Sequence, residues 1–187
     1  MYFSKFTILS SLVLSVLAAP TCDLGNTKRA DTLTVKNYAD FQVSGGVAGN
    51  ALAEVDQEFN AAAFRADPAS VSENDIAIMK AARETAENAE TEAGGFNEAI
   101  AAAGEDTEAG KNLQNGKIKN KVLKLELQVL LADIEIGQNG NDSSVASKRE
   151  AELKKLNKNV ALDEENAGAT STPVDFQGTS DPAGGDN

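Results

Sequence analysis

The sequence predicts an all-α protein, a small bundle of about four helices with a short extended strap before it and a disordered tail after it. Three observations predict this. Between residues 47 and 162 apolar residues recur at three- and four-residue spacing, the period of a helix with one buried face. The stretch 117–136 is apolar on two sides, as in a helix surrounded by others. From Ala167 onward Gly, Ser, Thr, Pro and Asp dominate, a composition that buries too little apolar area to offset ordering entropy. No internal repeat is found.

Leu33-Thr34-Val35 and Phe41-Gln42-Val43 read as short extended pieces around Asn37-Tyr38-Ala39-Asp40. They are too short to build a sheet and form the strap, with Tyr38 and Phe41 docking on helices. The first helix is predicted from about Val47 to Phe64, carrying Leu52, Val55 and Phe59 on one face, until Asp67-Pro68 ends it. Ser72-Glu73-Asn74-Asp75 resembles a capping box: the Ser72 hydroxyl accepts from the Asp75 amide, and the early carboxylates meet the positive helix end. The second helix then carries Ile76, Met79, Ala82, Ala86 and Ala89 as far as Gly94-Gly95.

A short helical piece, Phe96 to Ala103, precedes Gly104. The long third helix starts near Thr107. One of its stripes is Ile118, Val122, Leu125, Val129, Ala132 and Ile136, and a second is Leu123, Leu127, Leu130 and Ile134. Gly137 to Asp142 reads as a loop. Ser143 or Ser144 caps a last helix that turns Val145, Ala146, Leu153, Leu156 and Val160 inward and Lys148, Arg149, Lys154, Lys155 and Lys158 to solvent. So short a loop makes these two helices antiparallel neighbours. The helical domain spans 30–166 and the disordered acidic tail 167–187.

The N-terminus reads MYFSKFTILSSLVLSVLAAP: a basic start at Lys5, an apolar run from Phe6 to Leu17 and a small-residue exit at Ala18-Ala19. This is the layout of a secretory signal peptide over residues 1–19, cut near Ala19. The run falls short of the roughly 20 apolar residues of a membrane span and is followed at once by Pro20. Beyond it stands the basic pair Lys28-Arg29, the kind of site that kexin-type proteases cut, so residues 20–29 are read as a propeptide. Cys22, the only cysteine, then leaves with it, whereas without the cut it persists as an odd thiol.

Removing Lys5, Lys28 and Arg29 from 17 basic residues and Asp23 from 29 acidic ones leaves 14 against 28. A surface this acidic repels phosphate backbones and anionic lipids, which argues against nucleic-acid or membrane partners for the mature chain. There is no His in the 187 residues, so Ser-His-Asp and Cys-His arrangements and ordinary zinc sites are excluded. No twelve-residue calcium-loop pattern occurs. The cluster Gly45-Gly46-Val47-Ala48-Gly49 offers amides to an anion in principle. It lacks the Gly-Lys-Ser/Thr ending of a nucleotide loop and is read as a flexible start of a helix, or a point of close packing. Glu84, Glu87, Glu90 and Glu92 are read as a solvated acidic face, because small or polar residues surround them. No catalytic, cofactor-binding or metal-binding residue is assigned, and no cofactor is expected.

Two surface features remain. Asn141-Asp142-Ser143 is the single Asn-x-Ser/Thr acceptor, in the predicted loop between the long helices. Thr170 to Pro173 and Thr179-Ser180 have the composition of O-glycosylated segments as well as of a plain solvated tail.

The stretches YADFQVSGGVAGNALAEV, AARETAENAETEAGGFNEAI, NGKIKNKVLKLELQVL and KKLNKNVALDEENAG resemble a group of small secreted proteins of filamentous fungi, many of them plant-associated. The resemblance covers roughly Tyr38 to Ala167 and implies export, a helical fold and the company of candidate effectors or wall-associated proteins. It carries no functional-residue motif. The resulting expectation is a secreted, non-enzymatic interaction protein that binds a host or other extracellular component through a helical surface. The alternative is a structural or carbohydrate-associated protein of the cell wall, against which the absence of Trp and the scarcity of Tyr count.

Overall fold

The computed structural model describes residues 28–183, so Ala19 and Cys22 lie outside the described part. The described chain is mostly helical, and more than the four expected helices are present: α1 (Tyr38–Phe41), α2 (Ala51–Glu58), α3 (Ala61–Ala66), α4 (Glu73–Thr91), α5 (Phe96–Ala103), α6 (Glu108–Asn139) and α7 (Ser143–Glu165). Two short strands, β1 (Gly46–Val47) and β2 (Thr170–Ser171), pair antiparallel with Gly46 opposite Ser171 and Val47 opposite Thr170.

The predicted first helix is in fact two. Asn60 takes a left-handed conformation, φ 53°, which Asn tolerates better than most residues, and this breaks the run between α2 and α3. The break lets Phe59 and Phe64 both reach the interior. Ser72 caps α4 as expected, its hydroxyl accepting from the Asp75 amide at 3.0 Å. Thr107 caps α6 in the same way through the amide of Gly110. The cap of α7 is Asp142, whose carboxylate accepts from the Ser144 amide at 2.7 Å; neither Ser143 nor Ser144 fills that place. The helix α6 also runs on through Gly137 and Gln138 to Asn139, which shortens the predicted loop to residues 140–142.

At 32 residues, or about 48 Å at 1.5 Å per residue, α6 is the axis of the fold. Its Leu123, Leu127, Leu130 and Ile134 enter the main core, made with Tyr38, Phe41, Phe59, Phe64, Met79 and Phe96. Its Val122, Leu125 and Val129 enter a smaller core with Ala51 and with Leu156 of α7. Tyr38 and Phe41 are docked as the strap reading requires, though from the single helical turn α1.

The tail from residue 167 is the main departure from expectation. In place of disorder, residues 167–183 form a strap laid across the bundle. The Ala48 amide donates to Ala169 O at 2.9 Å, and the Gly168 amide returns the bond to Ala48 O at 3.0 Å. Thr172 N reaches Asn112 O, Tyr38 N reaches Gly178 O, and Ser180 N reaches Lys36 O. Val174 is buried, and Phe176 packs edge-on against Tyr38 at 5.9 Å between centroids. Sparse apolar residues suffice here because backbone groups and hydroxyls find partners on the bundle. Gly116 makes the approach possible: a Cβ there would stand 2.1 Å from Thr172 O.

Candidate functional site

Three helices carry the site at one end of the bundle. Ile76 and Lys80 lie one turn apart on α4, while Gln128, Leu131, Ala132 and Glu135 follow each other at helical spacing on α6. Val145, Lys148, Arg149 and Glu152 repeat the pattern on α7. The stripes enclose a groove of about 450 Å³. Its origin is local: α7 fills its smaller core through Leu153, Leu156 and Val160, in its second half, so its first turns leave a gap beside α4 and α6.

The far end of the groove is fixed by Gln138, whose amide donates to Val71 O at 2.9 Å and to Pro68 O at 3.4 Å. On its α7 wall, Arg149 is held by a hydrogen-bonded ion pair with Asp133. Behind that pair, Arg65 lies 3.6 Å from Asp133 and 3.3 Å from Asp56, and is hydrogen-bonded to Glu126. Glu126 is almost wholly buried. Burial pushes its carboxyl up to about 7; Arg65 pulls the other way, and the nearby Asp56 carboxylate adds to the rise. Burial alone would lower the Arg65 guanidinium, but Glu126 and Asp56 more than offset that and raise it. These four elements, α2, α3, α6 and α7, are thus joined by charge beneath the groove.

The rim offers cations. Lys80 is exposed and has no hydrogen bond or ion pair among the described residues. Lys148 contributes to the lowered pKa of the exposed Asp142 carboxyl, whose main cause is the bonding to Ser144. The sequence reading turned Lys148 and Arg149 to solvent; both line the groove. The signal that places them there is their position three and four residues after Val145, on the same face.

The other sequence candidates fall elsewhere. The glycine cluster presents carbonyls to a cation, not amides to an anion: fully buried Lys119 donates from Nζ to Gly45 O at 2.9 Å and Val47 O at 3.0 Å, and pairs with Glu54 at 2.8 Å. Gly49, at φ 111°, lies where a Cβ would meet the Ala167 Cβ at 2.7 Å. The acidic face of α4 divides. Glu90 is buried and paired with Lys121 and Lys124, and Glu87 pairs with Lys124; only Glu84 and Glu92 remain exposed. Burial tends to raise the Glu90 carboxyl, but the two lysines outweigh it and lower it. Among the described residues no group of three His, Cys, Asp or Glu is placed to hold a metal ion. No helix among them is long and apolar enough to cross a membrane.

Lys28 and Arg29 begin the described chain and touch the bundle. The Lys28 ammonium is 3.4 Å from Ala69 O, and the Arg29 guanidinium donates to Ala63 O at 3.4 Å while lying 5.9 Å from the centre of the Phe64 ring. Asn141 sits in the exposed loop between α6 and α7.

A family model described as a domain of unknown function (DUF8454) matches residues 33–175. No curated protein and no solved structure matches the chain.

Proposed function

The chain belongs to the DUF8454 family over a region that includes all three walls of the groove, and from that premise we propose that it is a secreted, non-enzymatic interaction protein. Its contact face is the groove between α4, α6 and α7, and the occupant is an extended segment of an extracellular partner protein that presents an apolar side chain beside a carboxylate. One observation carries the reading: an apolar floor, with Leu131 and Ala132 half-buried, lies beneath the unpaired Lys80 on a chain whose formal net charge is -12. A free cation at such a place attracts the carboxylate that the rest of the surface repels, and the floor takes the apolar group.

Affinity capture from an extracellular extract tests this, with wild type beside Ala132→Arg and Lys80→Glu. The reading requires a protein retained by wild type and lost by both variants while their circular dichroism is unchanged. Retention on insoluble chitin or glucan that Ala132→Arg leaves intact would move the protein to the cell-wall class instead.

Maturation belongs to the same proposal. Signal-peptide cleavage near Ala19 and a second cut after Arg29 start the mature chain at Ala30. For that second cut, Lys28 and Arg29 must lift from Ala69, Ala63 and Phe64, and the Arg29 amide must give up its bond to Ser70 O. The strap beyond them stays anchored, because buried Asp75 accepts from the amides of Thr32 at 3.0 Å and Leu33 at 2.8 Å. Intact mass of the exported protein decides it; a mass that begins at residue 20 removes the propeptide.

A further inference from the structure

We propose that Asn141 is an N-glycosylation site and that its glycan stands at the end of the groove beside the α6–α7 loop, where it limits what enters. The inference rests on the export reading, since only a chain in the secretory lumen meets the oligosaccharide transferase.

Three observations carry it. Asn141-Asp142-Ser143 is the single acceptor triplet in 187 residues, and the structure leaves all six residues 139–144 exposed. The loop is built without the acceptor atoms. Gly140, at φ 86°, turns the chain out of α6, and Asp142 caps α7, whereas the Asn141 side chain and the Ser143 hydroxyl have no hydrogen-bond partner among the described residues. Attachment therefore breaks no contact of the fold. The location is also specific, because Asn139 and Val145, on either side of the triplet, both line the groove.

The chemistry is a group transfer from a lipid-linked oligosaccharide pyrophosphate. A bond forms between Asn141 Nδ2 and C1 of the first sugar as the bond from C1 to the pyrophosphate oxygen breaks. The pyrophosphate leaves on its lipid with the electron pair, and the amide nitrogen gives up one proton to the transferase.

The test uses the full chain expressed in a eukaryotic secretory host, with Asn141→Gln and Ser143→Ala alongside. Protein from the medium is digested with peptide N-glycosidase, which leaves Asp at a formerly glycosylated Asn, and the 141 peptide is read by mass spectrometry. The expected result is Asp at 141 in the wild type and no glycan in either variant. Unmodified Asn141 in exported wild-type protein overturns the proposal. A second sample, with the same chain behind another secretion leader, gives the glycan result even if the chain's own leader fails, so export and glycosylation fall separately. For the position of the glycan, labelling by an amine-reactive ester should be slower at Lys148 in glycosylated protein than in Asn141→Gln, with Lys111 at the opposite end of α6 unchanged. Equal labelling of Lys148 in the two would remove the gating half of the inference.

Discussion

The Tyr38 hydroxyl donates to the side-chain oxygen of Asn120 at 2.7 Å, in the middle of the main core. The Asn120 amide in turn donates to Ala86 O at 2.7 Å, so one buried side chain ties the strap turn α1 to both long helices of the core. Burial, against a lesser effect of Ser44, pushes the Tyr38 phenol up to about 12 and keeps it protonated as the donor.

Replacing Asn120 should therefore cost more than replacing its partner. Tyr38→Phe removes one donor and leaves Asn120 still bonded to Ala86, for a loss of about 1 kcal/mol. Asn120→Leu strands the phenol and also removes the side-chain bond to the Ala86 carbonyl, which keeps only its bond within α4, for a loss of about 2–4 kcal/mol. Urea unfolding measures both. Equal losses would mean that the bond to Ala86 contributes nothing.

Glu126 gives stability an unusual pH dependence. Its carboxyl, pushed up to about 7 in the folded chain, stands above the ordinary glutamate value of 4.5. Between those values the native state binds the proton that the unfolded state has already lost, so this group's contribution is full below pH 4.5 and disappears as pH rises through 7. Burial sets the size of the effect, opposed by Arg65 from α3 and aided by Asp56 from α2, on the order of 3 kcal/mol at most. Glu126→Gln should flatten this part of the curve. Urea midpoints from pH 4 to pH 8 that fall in parallel for wild type and variant would assign the slope to other groups.

Lys119 is a buried cation in a carbonyl cage, and its removal should loosen the junction of the β1 turn with α6. Lys119→Met keeps most of the volume but leaves the carbonyls of Gly45 and Val47 without their donor, at a cost of about 2–4 kcal/mol. Lys119→Arg should not restore stability, because a planar guanidinium needs more room than a fully buried site provides. Hydrogen exchange should show the loss at the amides of β1 and β2 before it reaches α4. Uniform loss across the chain would mean that the cage and the main core unfold as one.

The sequence was most legible along α6. The stripe Leu123, Leu127, Leu130 and Ile134 and the middle of the Ile118 stripe, Val122, Leu125 and Val129, belong to different cores, as a helix apolar on two sides requires. Legibility failed where apolar periodicity does not speak. The break at Asn60 depends on a left-handed residue inside an otherwise helical run. The groove depends on α7 filling its core only from Leu153 onward, which is a matter of tertiary packing; the one local sign that Lys148 and Arg149 line it is Val145, three and four residues before them on the same face. The tail was misread because its order comes from hydrogen bonds to partners far away in sequence, as with Thr172 and Asn112 or Ser180 and Lys36. Ser171 illustrates the cost to the O-glycan reading: it is buried, and its hydroxyl donates to Ser44 O.

The docking of the tail yields a prediction whose sign is diagnostic. In a free helix interior, Gly→Ala gains about 1 kcal/mol. Gly116 lies inside α6, but a Cβ there would meet Thr172 O at 2.1 Å and Phe96 Cε1 at 3.0 Å. Thr172 O belongs to the backbone of the strap, which cannot yield without giving up the bond from Thr172 N to Asn112 O. Gly116→Ala should therefore destabilise the full chain by about 1–3 kcal/mol. In a chain ending at Ala167 the main obstacle is gone, so the same substitution should cost much less or stabilise. A double-mutant cycle by urea unfolding reads the difference. An unchanged penalty in the shortened chain would assign the clash to Phe96 alone, and a stabilising Gly116→Ala in the full chain would mean that the tail does not lie on α6.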